Sequence, residues 1–451
     1  MRHTRPEATL HVLMWLALAV LLSYANVLTG SFQFDDYNVI VNEAQVHSWA
    51  NWYAALGNGI RPLLKLSYTA NWTMGWGVLG FHLTNLLIHL VNAYLVYRLA
   101  QLFVQQQTRS AALRHVPLLA ALLFAAHPIH TEAVSYISGR SASLMMLFYL
   151  AALLFYVIGR TRHKPLYTYV VTPLFFVLAL AVKETAVTLP FALLLWEVSC
   201  GGRWRFAFKP QWTSWLLLFI AAVFFLFSDN YLSQMERSAQ LNGLQGNFAT
   251  QLNGFVYLLQ QFALPLWLNI DPDLPLLHEL GEAIFPLALT LALIGLMIAC
   301  WRRRPWISFA LGWVMLHLIP LYILLPRIDI ANERQLYLAA WPLLLALAIE
   351  LTLFLDGKKW RFAAAGLLIA CVALTVSRNQ VYQNEITLWK DTVLKSPNKA
   401  RTHNNLGYAY LLAQRKEEAR RELTVALQLD PQLYQARYNL RRLDEELTSA
   451  P

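Results

Sequence analysis

The stretch Leu10-His11-Val12-Leu13-Met14-Trp15-Leu16-Ala17-Leu18-Ala19-Val20-Leu21-Leu22-Ser23-Tyr24-Ala25-Asn26-Val27-Leu28, with Phe34-Asp35-Asp36-Tyr37 just beyond it, decides how the rest of the chain is read. A helix rises about 1.5 Å per residue and the hydrocarbon core of a bilayer is about 30 Å thick, so about 20 apolar residues cross it. The run has that length, Arg2 and Arg5 precede it, and no small-residue cleavage site follows. It is expected to be a retained first transmembrane helix rather than a removed leader.

Ten further apolar runs follow, at residues 81–102, 116–126 extended toward His130, 144–158, 166–182, 186–198, 212–227, 283–300, 306–325, 338–355 and 362–376. The whole chain agrees with them: of 451 residues 57% are hydrophobic and 14% charged, with 16 Trp. Mean hydropathy is +0.41. That balance excludes disorder, collagen-like repeats and most soluble classes. The expected fold is all-α, a polytopic membrane bundle of about 11 transmembrane helices. A net charge of +10 comes without any nucleic-acid motif, so no nucleic-acid partner is expected. Cys200, Cys300 and Cys371 are too few and scattered for a disulfide framework or metal cluster.

If successive spans alternate direction, one face receives seventeen cations: Arg2, Arg5, Arg98, Arg109, Arg114, Arg160, Arg162, Lys164, Arg203, Arg205, Lys209, Arg302, Arg303, Arg304, Lys358, Lys359 and Arg361. The other face, up to the end of the tenth span, receives Arg61, Lys65, Arg140, Lys183, Arg237, Arg327 and Arg334, together with acids such as Asp35, Asp36, Glu132, Glu184, Asp271, Asp329 and Glu333. Cationic loops stay cytoplasmic, which places the acid-rich face outside. Residues 252–270 are apolar but carry Asn253, Gly254, Gln260, Gln261 and Pro265, and are read as interfacial or re-entrant.

After residue 377 the composition changes. Residues 378–451 hold 12 Lys plus Arg and 9 Asp plus Glu with almost no uninterrupted apolar run. Pro397 and Pro431 stand 34 residues apart, and Leu406, Gly407, Tyr410, Ala419, Leu423 and Ala426 between them fit a tetratricopeptide repeat. The division is thus 1–377, a transmembrane domain, and 378–451, a soluble helical domain on the outer side. A lone repeat cannot bury its apolar face, so flanking helices are expected to cover it.

Chemistry concentrates in the outer clusters. Asp35 and Asp36 stand where a cavity would open beyond the first span; a low-dielectric wall and a like charge raise a carboxylate's proton affinity toward that of a general base. Arg61 to Lys65, the stretch His127-Pro128-Ile129-His130-Thr131-Glu132, Gly139-Arg140, Lys183-Glu184 and Asn332-Glu333-Arg334 fall on the same side. Ionisable groups at a membrane pair with one another or line a functional cavity. Cations that hold a phosphate beside a carboxylate that accepts a proton suit a phosphorylated substrate with a reacting hydroxyl. His82, Asn85 and His89 form a polar stripe on the second span, read either as interhelical hydrogen bonds or as part of the cavity. The spacing of His127, His130 and Glu132 matches no zinc signature and no metal or other cofactor is expected, while a divalent ion at Asp35 and Asp36 stays open.

These segments, together with Phe81-His82-Leu83-Thr84-Asn85, Ala133-Val134 and Tyr337, resemble the transmembrane and tetratricopeptide repeat-containing O-mannosyltransferases, membrane enzymes of the GT-C glycosyltransferase class. The resemblance runs from the first helix to the tail. It implies a sugar, by family mannose, carried on a polyprenyl phosphate in the membrane lipid, and transferred to Ser or Thr of a translocated protein. It implies Asp35 and Asp36 as the catalytic pair, Arg61, Arg140, Lys183 and Arg334 as donor-phosphate ligands, and His82, His127, His130, Glu132, Glu184 and Glu333 in the substrate cavity. Which Asp is the base stays open, with the lean toward Asp35. The chain departs from the family in carrying one clear repeat and Leu338-Ala339-Ala340 after Tyr337. The short tail points to a bacterial relative in the inner membrane, with site and tail in the periplasm. Two rival readings remain. One is an oligosaccharyl or glycolipid-directed transferase. The other is a non-catalytic assembly factor, for which deleting 378–451 would matter more than the acid pair.

Overall fold

The computed structural model describes residues 6–57, 60–107, 111–202, 208–226, 229–319 and 329–448. Arg2, Arg5, Arg109, Arg203, Arg205 and Arg327, and the ends of the runs 212–227 and 306–325, lie outside them. Among the described residues every element is a helix, and no strand occurs.

Each of the eleven apolar runs lies in helical structure, but they are not eleven straight spans. Five helices are long and apolar enough to cross a membrane: Thr9–Thr29, Gly77–Gln107, Ile137–Thr161, Leu280–Cys300 and Lys359–Val381. Two bent pairs, Ala112–Ala126 with Pro128–Val134 at 52° and Glu333–Ala339 with Trp341–Phe354 at 61°, raise the number to seven if each is one span. Tyr167–Val182 and Pro305–Leu318 are shorter. Length alone therefore supports five to seven crossings where eleven were expected.

Proline explains the bends. Pro128 pushes His127 to an extended backbone (φ −71°, ψ 128°), which stops the helix Val116–Ala126 at the polar motif. Pro342 has no N–H to give the carbonyl of Leu338, and the indole Nε1–H of Trp313 donates to that oxygen instead at 3.0 Å. Both breaks deliver polar residues, 127–132 and 332–335, to the same end of the bundle.

The helix Gly77–Gln107 lies at the centre, packed on Pro6–Tyr24, Val116–Ala126 and Arg140–Thr161. On the first helix Val12, Leu16, Ala19 and Val20 face inward while Leu10, Met14, Leu18, Leu21 and Leu22 are exposed. Large apolar side chains are likewise exposed along Trp212–Leu226 and Ile284–Cys300. Outward apolar belts on helices of membrane-crossing length need lipid to cover them. The chain is a multi-pass membrane protein.

Residues 252–263 form the second half of the helix Asp229–Ala263. Leu252 is buried, and Phe255 and Leu258 pack against Ile129, Val314, Leu336 and Ala339, so this stretch covers the bent pairs from the side. Protein surrounds Gln261 there, while Asn253 is half-buried and Gln260 is exposed.

After the last long helix come Glu385–Lys395, Ala400–Leu412, Lys416–Leu429 and Tyr434–Thr448. Asn384 and Thr387 form a reciprocal capping box at the first. Gly407 lets the next two approach: a Cβ there would lie 2.7 Å from Cγ of Leu423. The apolar core of these tail helices, with Leu388, Trp389, Leu406 and Tyr410, continues into Tyr136 and Ile270 of the bundle.

Candidate functional site

The loop after the first helix is held in an unusual backbone. Phe34 has φ +48°, the left-handed region a bulky side chain avoids. Asp36 caps the following turn Tyr37–Val41, and its buried carboxylate accepts the backbone N–H of Gln33 at 3.0 Å and of Ser138 at 2.8 Å. Burial outweighs these bonds and pushes its carboxyl up to about 7. Asp35 is half-buried, and its N–H donates to the hydroxyl of Tyr136 at 2.9 Å. Its carboxyl also stands above the ordinary range, through burial, against the pull of Arg334. The two adjacent acids thus differ. Asp36 ties the loop to Ser138, whereas the half-buried Asp35 carboxylate stays within the electrostatic influence of Arg334.

Arg334 reaches this place through the break at Asn332–Gln335. Its backbone N–H donates to Glu132 Oε2 at 2.9 Å, and its Nε lies 3.4 Å from Glu132 Oε1, joining two motifs 202 residues apart. Arg334 also lines a small, partly open pocket with Lys183, Thr185, Thr188, His317 and Gln335. Two of its lining residues are joined through Tyr149: His317 Nε2 meets Tyr149 Oη at 3.0 Å, and Tyr149 Oη meets Thr188 Oγ1 at 3.1 Å. Beside Lys183, Glu184 takes a bidentate pair from Arg61 at 2.9 to 3.2 Å. Arg61 itself has φ +57° at the start of the helix Pro62–Met74.

Arg140 does not line that pocket, although Asp36 acts on it electrostatically. Its guanidinium is fully buried, donating to Asn85 Oδ1 at 2.6 Å, Ser67 O at 3.2 Å and Phe81 O at 2.9 Å. It lies 5.1 Å from the Tyr68 ring centroid and 5.4 Å from that of Phe81. These contacts fasten three helices. Glu333 is fully buried 3.6 Å from Arg378 Nη2, and Arg378 in turn donates to Asp391 at 2.7 Å.

The histidines sit deeper. His82 is buried beside Gly30. His127 Nδ1 accepts from Ile129 N–H at 3.2 Å while its ring stacks on Phe262. His130 packs among Phe124, His89 and Tyr337. The Tyr337 hydroxyl accepts from Asn92 and donates to His89 Nδ1, whose Nε2–H donates to Ala125 O. Among the described residues no three His, Cys, Asp or Glu side chains gather as a metal-holding group.

Several site residues were not legible. Tyr136, Glu385, Trp389, Arg378, Arg401 and Asp329 all border the acid loop or its cations. Arg401 spans from the tail to Asp271 at 2.8 Å and Asp329 at 2.7 Å, and both Arg401 and Asp329 act electrostatically on Asp35. Only Glu385 carried a local signal, standing directly after the helix-capping Asn384.

No family model matches the chain. It is similar to curated protein O-mannosyl-transferases of the TMTC family. One from Caenorhabditis elegans is 24% identical over 95% of this chain and 64% of its own length. TMTC4 of Mus musculus is 24% identical over 87% and 63%. Tmtc2 of Drosophila melanogaster is 36% identical over a shorter segment, 30% of this chain and 15% of its own. The chain thus spans a little under two thirds of the length of the relatives matched along most of it.

Proposed function

We propose that the chain is an integral-membrane glycosyltransferase that moves one sugar, mannose by the relatives' names, from a polyprenyl phosphate to a Ser or Thr hydroxyl of a protein. The observation that carries this is a half-buried Asp35 carboxylate within the electrostatic reach of Arg334, a cation that lines a pocket with Lys183 at one end of the bundle. Asp35 takes the proton of the acceptor hydroxyl as its oxygen bonds to the anomeric carbon. The bond from that carbon to the phosphate oxygen breaks with inversion, and the polyprenyl phosphate leaves with the electron pair. Arg334 and Lys183 stabilise the charge that grows on it. Asp36 keeps the loop in place, Glu132 aims Arg334, and Arg61 with Glu184 orders the segment that carries Lys183. Arg140 acts as a structural fastener.

We take this end as the periplasmic or lumenal side, opposite the seventeen-cation face, in an eleven-span topology in which the two bent pairs, Tyr167–Val182, Leu189–Ser199, Trp212–Leu226 and Pro305–Leu318 join the five long helices as spans. We assign residues 378–451 to a tetratricopeptide-type domain, supported by the close approach at Gly407. Because that domain holds Phe34, deleting it disarms a transferase as well as an assembly factor and separates the two readings poorly. The test is purified protein with polyprenyl-phosphate mannose and a Ser/Thr-rich peptide, followed by intact mass with and without chelator. One added hexose, absent with Asp35→Asn, is expected. Addition of several sugars favours the oligosaccharyl reading, and no transfer from any lipid-linked pool overturns the enzyme.

A further inference from the structure

The left-handed backbone at Phe34 sets the direction of the next residue, Asp35, and such a conformation persists only where its surroundings impose it. Those surroundings come largely from the tail. The N–H of Phe34 donates to a carboxylate oxygen of Glu385, and the second oxygen of that carboxylate accepts Trp389 Nε1–H at 3.1 Å. The Trp389 ring stands edge-on to the Phe34 ring at 5.1 Å, with Tyr136 on another side at 6.5 Å. Ser31 N–H donates to Gln383 O at 3.1 Å, so the chain is tied on both sides of the junction.

We propose that Glu385 is a positioning residue for the Asp35 carboxylate, so that the first tail helix is a working part of the transfer site. This rests on Asp35 being the base. Glu385 touches no reacting atom and acts through Phe34. An acid in the first turn of a helix also favours the helix dipole, and side-chain length separates the two roles. An Asp there serves the dipole equally and falls one methylene short of the Phe34 N–H, whereas a Gln keeps one acceptor at the same reach for that N–H and gives up only the bond to Trp389 Nε1–H.

The experiment uses the full chain in nanodiscs, with hydrogen exchange over residues 31–38 and transfer kinetics for Glu385→Asp, Glu385→Gln and Asp35→Asn. Glu385→Asp is expected to speed exchange at Phe34 and lower kcat on the order of 10²-fold, the scale of an ångström-sized misplacement. Donor KM stays unchanged, the thermal midpoint falls by no more than one lost hydrogen bond accounts for, and Glu385→Gln, which keeps the Phe34 bond, shows slower exchange at Phe34 and a higher kcat than Glu385→Asp. Wild-type exchange or wild-type kcat in Glu385→Asp overturns the proposal and, if Asp35→Asn is inactive, leaves the base intact. An active Asp35→Asn overturns the base and the proposal with it.

Discussion

Gly139 stands at the entry of the helix Arg140–Thr161, where two backbones touch. A Cβ on it would lie 2.0 Å from the carbonyl oxygen of Glu132 and 3.0 Å from Cα of Ala133. An ordinary carbon–oxygen contact is roughly 3.3 Å, so Gly139→Ala demands about 1.3 Å of displacement between backbones that have no flexible end to move. Overpacking of that kind costs at or above the upper end of about 1–3 kcal/mol, offset by at most about 1 kcal/mol of helix propensity. A net loss of about 2 kcal/mol or more is expected. The displaced residue is Glu132, which aims Arg334, so transfer should also fall on the order of 10²-fold. Gly366 is the control. It lies in the exposed part of the helix Lys359–Val381 with nothing within 4 Å of its added Cβ, and Gly366→Ala should be neutral or gain up to about 1 kcal/mol. The assay is the thermal midpoint in detergent by tryptophan fluorescence, with transfer measured well below it. A Gly139→Ala protein that matches Gly366→Ala in both would refute the close-approach reasoning.

Asp35→Asn should abolish transfer with an unchanged thermal midpoint. Because burial holds the Asp35 carboxyl above the usual range and the base must be ionised, wild-type kcat should drop on acidification with a midpoint above about 4; a midpoint at or below that value refutes it. Arg140→Lys loses the fork to Asn85, Ser67 and Phe81, so the folded yield should fall, by about 1–3 kcal/mol of stability, with donor KM unchanged. A raised donor KM at constant midpoint would put Arg140 at the phosphate instead. His403 meets Glu422 Oε2 at 2.7 Å, and this bond raises its proton affinity. The charged form favours the fold, so its contribution is full below about 6.5 and lost as pH rises through the higher folded value. Protection factors over residues 400–429 should therefore be greater at pH 6 than at pH 8, and His403→Gln should level them.

Much of the architecture was readable along the chain. Apolar runs of helical length marked where helices form, and alternation put the polar clusters at one end, but the runs 116–130 and 338–355 read as continuous and only the structure showed them broken at Pro128 and Pro342. Arg140 and Arg334 look alike in sequence, each a lone arginine in a polar motif. One spends its donors on Asn85 and two carbonyls, and the other reaches a cavity. Arg61 and Glu184 are 123 residues apart, and nothing local couples them. The difference between Asp35 and Asp36 was also hidden, since it depends on which neighbour supplies the N–H of Ser138 and which the side chain of Arg334.

By itself, then, the sequence determined which segments form apolar helices, because hydropathy sums over some 20 consecutive residues and needs no partner. The helix breaks have a local cause too, a missing N–H at proline, but the apolar runs did not reveal them. Only the tertiary structure decided which ions pair, which acid stays available, and that the tail closes over Phe34. Those outcomes depend on distances between residues tens to hundreds of positions apart, which only the packing of the helices sets.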